Sequence, residues 1–181
     1  ILKNNNPYFT YDARIWEDLR PRLRDYIVRK FKLYLEKNEA VKSALQSKES
    51  MIADSLLLYF DKVYSKGIVE FPENINSKTI IIIRNNLAEE TDWHDFYTPK
   101  TAYRYVHTKI VNFCKGTTIN NLMPLESFVK EIRFENFIKP NTLYDAVSSE
   151  NAKEELLKKM SLTIGLVQRG ERIILTGDIV N

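Results

Sequence analysis

The chain has a single cysteine, Cys114, so no internal disulfide holds it together, and a lone thiol suits either an oxidising or a reducing compartment. No Cys-centred motif surrounds it, which makes a small buried hydrophobe the simpler role. Histidine is equally scarce. His94 and His107 are the two present, thirteen residues apart, too few for a clustered set of metal ligands that activates water. Five glycines leave little material for a phosphate-cradling loop, and no serine sits in a G-x-S-x-G turn. No apolar run approaches the ~20 residues that cross a bilayer, the longest being 56–60 and 80–83, and Ile1 to Asn6 does not read as a secretion signal. Nor is there a dominant sign of charge. Twenty-seven basic and 24 acidic residues are interspersed, so composition gives no strong case for nucleic acid or an anionic membrane as a partner.

What is present suits one domain over residues 1–181: 44% of the residues are hydrophobic and 12% aromatic, enough for a single substantial core. Ile15, Leu19, Leu23, Tyr26, Ile27, Phe31, Tyr34 and Leu35 recur at spacings of three and four and predict an amphipathic helix from Arg14 to Lys37. Pro21 is expected in the first turn of its longer part, since inside a helix it removes a backbone bond. Arg20, Arg22, Arg24, Arg29, Lys30 and Lys32 form the polar face. Glu17, Asp18, Asp25 and Glu36 lie in the same turns, which favours a solvated face over a surface for anionic headgroups or an acidic ligand. A second helix is predicted from Ser47 to Lys66, stopped by Gly67, with the helix-compatible residues 38–46 between the two.

Lys78 to Arg84 is a β-branched run bounded by Asn85-Asn86, hence a buried strand. Glycines at 170 and 177 punctuate an apolar tail and predict a hairpin there, which is expected to pair with that strand. Thr98-Pro99 starts a helix running to about Phe113; Pro124 starts a short one, and Ser148 or Ser149 is expected to cap the last. The fold class is α+β, predominantly helical, with a small sheet formed by a central strand and a C-terminal hairpin.

Three blocks carry a family resemblance. The tail holds Ile138, Pro140, Asn141, Tyr144, Asp145, Ser161, Gly165, Val167, Gly170, Glu171, Ile173, Gly177, Ile179 and Val180; the middle holds 81–89, with Asn85 and Asn86, and 96–103, with Thr98 and Pro99; a weaker block is Asn6-Pro7-Tyr8-Phe9. In this order they resemble the extracytoplasmic domain of the seven-transmembrane HD hydrolases, PgpH-like membrane phosphodiesterases of the Bacteroidetes type. The resemblance implies a fragment of a larger cell-membrane protein, lying on the extracytoplasmic (periplasmic) side and continuous with transmembrane segments at both ends. It implies an absent cytoplasmic domain that hydrolyses cyclic di-AMP with bound divalent metal. For the fragment itself it implies a ligand-sensing or regulatory role, with no catalytic residue and no cofactor or metal, an unidentified extracytoplasmic ligand or protein as partner, and a possible homodimer.

One cluster is a candidate polar-ligand or metal site: Glu89, Glu90, Asp92, Trp93, His94 and Asp95, carboxylates and an imidazole beside a ring that can stack. The same letters also describe an exposed acidic loop anchored by one aromatic. His107, at helical spacing from Tyr103 and Ile110, is expected to be partly buried. Two further functions stay open, a structural or dimerising module without a ligand and a metal-binding domain at residues 89–95.

Overall fold

The computed structural model describes residues 6–72, 77–116 and 125–165. It comprises β1 (Tyr8–Tyr11), α1 (Arg14–Lys37), α2 (Glu39–Leu45), α3 (Glu49–Lys66), β2 (Thr79–Arg84), β3 (Leu87–Asp92), α4 (Pro99–Gly116), α5 (Glu126–Lys130), β4 (Thr142–Tyr144) and α6 (Ala146–Gly165). The architecture is α+β and predominantly helical, as the sequence predicts.

The three-and-four stripe of α1 is buried at Leu19, Leu23, Ile27, Phe31, Tyr34 and Leu35. It packs along α3, whose Ile52, Leu56, Leu57, Phe60, Val63 and Tyr64 meet it, and α4 and α5 close the core with Ala102, Val106, Ile110, Cys114, Phe128 and Val129. Trp16 lies flat on Tyr64, 4.4 Å between centroids, and its indole N–H donates to Asp61 Oδ1 at 2.8 Å. Pro21 sits well inside α1 rather than in its first turn. Pro21 and Glu17 are both exposed, so the carbonyl that loses its helical donor is on the wet side, where the disruption costs least. Two arginines of α1 find their acids on α3, not within their own helix: Arg20 makes a bidentate pair with Asp61 (2.9 and 3.1 Å) and Arg24 bonds Asp54 at 2.8 Å. Between α1 and α3 the chain is broken twice, at Asn38 (φ −128°) and after Leu45, which leaves α2 a separate short helix.

The sheet has four strands in the order β3-β2-β1-β4. β2 lies parallel to β1, with Phe9 opposite Ile82, and antiparallel to β3, with Ile81 opposite Glu90. Both its edges are therefore filled. The expected pairing of the central strand with the C-terminal residues is replaced by pairing with β1 and β3, and the proposed hairpin itself, with Gly170 and Gly177, lies outside the described residues. β2 and β3 join through Asn85 and Asn86, both at positive φ (49° and 63°), the backbone that a two-residue hairpin with the right twist requires. Phe9, Val69 and Ile80 form a second small core beneath the sheet, flanked by Phe71, Trp93 and Phe96.

Candidate functional site

A helix leaves its last carbonyls without intrahelical donors, and a buried helix end must find donors elsewhere. At the C-terminus of α3 four separate segments supply them. Tyr64 O accepts the Tyr11 hydroxyl (3.1 Å) and Asn141 Nδ2 (3.0 Å); Ser65 O and Lys66 O accept Arg84 Nη1 (3.2 Å) and Nη2 (2.7 Å); Gly67 O accepts the Tyr97 amide (3.0 Å). Asn141 has no exposed surface, and its Oδ1 takes the buried Ile68 N–H at 2.7 Å while its own N–H donates to Ile68 O at 3.0 Å. Arg84 lies 4.3 Å above the Tyr11 ring and brings a positive charge to the negative end of the helix. Gly67 has φ +111°, and a Cβ there would stand 2.7 Å from Thr142 Oγ1 and 2.9 Å from Phe96, so both the backbone and the space demand glycine.

The Tyr64 hydroxyl joins the same junction. It donates to Phe137 O at 2.8 Å and accepts the Lys139 N–H at 3.0 Å, and burial pushes its pKa up to about 12. Residues 137–141 are thus stitched to the end of α3. The next residues are stitched to α6. Asp145, not Ser148 or Ser149, caps that helix: its Oδ1 accepts the Ser148 N–H at 2.9 Å and its Oδ2 accepts the Ser148 hydroxyl at 2.7 Å. The Ser148 amide holds the Asp145 carboxyl below its ordinary pKa. Ser149 does different work, its hydroxyl donating to Asp145 O at 2.6 Å while accepting the Tyr8 N–H at 2.9 Å, which ties α6 to β1.

Beside the junction, Lys139, Pro140, Thr142, Leu143 and Tyr144 form one wall of an open groove of about 640 Å³ whose other wall is Glu70, Phe71 and Pro72. Phe71 and Tyr144 both pack edge-on against Phe9, at 5.2 and 5.5 Å, so the groove floor is continuous with the small core. Lys139 and Glu70 put one charge of each sign at its rim. Thr142 Oγ1, a buried atom of this wall, has no hydrogen-bond partner among the described residues.

The acidic cluster of the sequence is not one site. Glu89 and Glu90 are neighbours on β3 and so project to opposite faces of the sheet, Glu90 accepting from Asn6 Nδ2 at 2.9 Å. Asp92 caps the 3-10 turn Trp93–Asp95 and accepts both the His94 N–H (2.8 Å) and His94 Nδ1 (2.7 Å), which lowers its pKa. Trp93 is anchored on Phe71 at 5.0 Å, with His94 stacked on it at 4.0 Å, so the ring is packed rather than offered. Asp95, exposed, closes the turn. Among the described residues no three His, Cys, Asp or Glu side chains gather as a metal site. His107 is exposed and stacked on Tyr103 at 5.6 Å, not partly buried, because Ala102, Val106 and Ile110 take the inner face of α4.

Compared with known families, residues 7–181 match the model of the 7TM-HD extracellular domain. The chain belongs to that family. No curated protein and no solved structure matches it. As a 7TM-HD extracellular domain it is an extracytoplasmic part of a membrane-protein family, and among its described residues no helix is long and apolar enough to cross a membrane. The tail residues that carried the resemblance now have physical roles: Asn141 binds α3, Asp145 caps α6, Pro140 and Tyr144 line the groove, and Gly165 ends α6. Asn85 and Asn86 make the β2–β3 turn. Thr98 and Thr101 exchange amide-to-hydroxyl bonds at 2.8 and 3.2 Å where Pro99 opens α4. The sequence reading missed Tyr11, Tyr64 and Arg84 as junction residues. A cation ending a strand was the available signal for Arg84; for the two tyrosines there was none.

Proposed function

We propose that this 7TM-HD extracellular domain is the ligand-sensing, regulatory part of a membrane-bound HD phosphodiesterase whose cytoplasmic domain hydrolyses cyclic di-AMP. The observation that supports this reading is the double attachment of residues 137–145. One surface of that segment lines the open groove, and its other bonds reach the end of α3 and the start of α6. A ligand seated between Phe71 and Tyr144 therefore acts on the segment that holds the helical layer and α6 in register. Differential affinity for two positions of that segment is what a sensor needs to bias whatever is attached beyond α6. The groove's chemistry, aromatic and proline walls with one lysine and one glutamate, suits a small amphipathic or zwitterionic molecule or a short peptide.

The test is made in the full-length protein. Replacing Leu143 and Tyr144 with alanine is expected to change cyclic di-AMP hydrolysis, or its response to extracellular conditions, without changing the amount of protein in the membrane. Deletion of the whole domain is expected to remove the response. Hydrolysis and response that are unaltered in both variants overturn the proposal.

A further inference from the structure

On α1, Arg20 and Arg24 are answered by Asp61 and Asp54 of α3, but the lysines on the side of α3 that faces α4 have no such partner among the described residues. Lys62 Nζ and Lys109 Nζ lie 5.7 and 5.8 Å from the centroid of the Tyr105 ring, Lys66 Nζ lies 5.5 Å from Tyr97, and the two rings are 5.5 Å apart. Arg84, 5.9 Å from Phe96, extends the row around the end of α3. Among the described residues no carboxylate comes within ion-pair distance of Lys62, Lys66 or Lys109. α4 itself carries Lys100, Arg104, Lys109 and Lys115 and no aspartate or glutamate. Of these, Lys109 follows Tyr105 by one turn and so shares its side of the helix. One turn before Lys62, Leu58 is 64% exposed.

We propose that this α3–α4 face rests on the anionic headgroups of the bilayer to which the 7TM-HD architecture tethers the domain. The tyrosine rings hold the ammonium groups in a row along the helix surfaces, and the side of each ammonium away from its ring is open to a phosphate. A row of cations with an exposed leucine beside it matches a flat, charged, amphipathic surface better than a single small anion, which several groups would converge upon. The tether keeps that surface at high effective concentration, so weak contacts per lysine suffice. Docking of this kind would fix the orientation of the domain, independently of any ligand in the groove.

The experiment is co-sedimentation of the 181-residue chain with vesicles. An equal mixture of phosphatidylglycerol and phosphatidylcholine is expected to bind it, phosphatidylcholine alone is not, and added salt is expected to release it. The double substitution K62Q/K109Q is expected to weaken binding about 25-fold, roughly five-fold for each lysine. K62R/K109R is expected to retain binding, and R22Q/K32Q on α1 to leave it unchanged. Equal binding to both vesicles, or equal loss in the α1 pair, overturns the proposal. So does binding of soluble polyphosphate without binding of vesicles, which assigns the face to a polymer instead.

Discussion

Replacing Asn141 with alanine tests whether the end of α3 is the point at which this domain is knotted. The substitution removes the acceptor of the Ile68 N–H, a bond of 2.7 Å, and the donor to Tyr64 O, 3.0 Å, at a side chain with no exposed surface. Tyr64 O keeps the Tyr11 hydroxyl, so its loss is the smaller one. The Ile68 amide keeps nothing, and a buried donor left unpaired costs about 1–3 kcal/mol, with about 1 kcal/mol more for the second bond. The sum is about 2–4 kcal/mol, or roughly 4–16 °C in the thermal midpoint of a chain this size. Urea unfolding followed by tryptophan fluorescence reads it, since Trp16 stacks on Tyr64 beside the site. N141D refines the argument. Its protonated form can keep both contacts, accepting from Ile68 and donating to Tyr64 O, whereas its ionised form sets a negative charge against a carbonyl. The folded-state pKa is then raised, so the deficit relative to the parent chain is absent below the usual aspartate value of about 3.9 and grows as pH rises through the folded value. A loss under about 0.5 kcal/mol in N141A, or a pH trend of opposite sign in N141D, refutes the reasoning.

Three further outcomes are expected. Gly67→Ala should cost about 2–4 kcal/mol, from the positive φ together with contacts at 2.7 and 2.9 Å, while Gly116→Ala, which meets nothing within 4 Å, should change stability by less than about 1 kcal/mol; paired thermal melts check both. Tyr64 has its pKa raised to about 12, so its contribution is complete below pH 10 and lost as pH climbs toward 12; Tyr64→Phe should flatten that alkaline decline in a urea-by-pH series and lower stability by about 1–2 kcal/mol at neutral pH. Asp145→Ala should cost about 1 kcal/mol at pH 7 through the lost cap of α6, and because the folded pKa is lowered the part carried by the ionised carboxylate should be lost as pH falls from the ordinary aspartate value through the lowered folded one, as chemical unfolding followed from pH 7 down to about pH 2 would report.

The helices were legible because their signals are local. The stripe of α1 repeats over six turns, Thr98-Pro99 carries its own cap, and Gly67 stops α3 at the residue where the chain turns. The strands were harder. Tyr8–Tyr11 and Thr142–Tyr144 are four and three residues long, too short for a periodic pattern, and each becomes a strand because its neighbour in the sheet supplies the ladder. β3 was hidden by composition: Glu89, Glu90 and Asp92 read as a solvated loop, yet an edge strand with one face to water tolerates such residues, and charge there discourages a second sheet from joining.

The site was legible as a motif and illegible as a mechanism. Pro140, Asn141, Tyr144 and Asp145 could be picked out as letters, but what Asn141 does depends on Ile68 and Tyr64, more than seventy residues earlier, which no local window joins. The misplaced helix cap shows the same limit at short range. Asp145, Ser148 and Ser149 are all capable caps by type, and the choice is made by Tyr8, whose amide donates to the Ser149 hydroxyl and whose carbonyl accepts the Asp145 N–H, pinning the chain so that Asp145 alone faces the free end of α6. A residue type offers a bond, and a distant strand decides which offer is used. That is why the residues most exposed to scrutiny in the sequence, the acids of 89–95, proved dispersed, while an asparagine with no titratable group proved to hold three segments together.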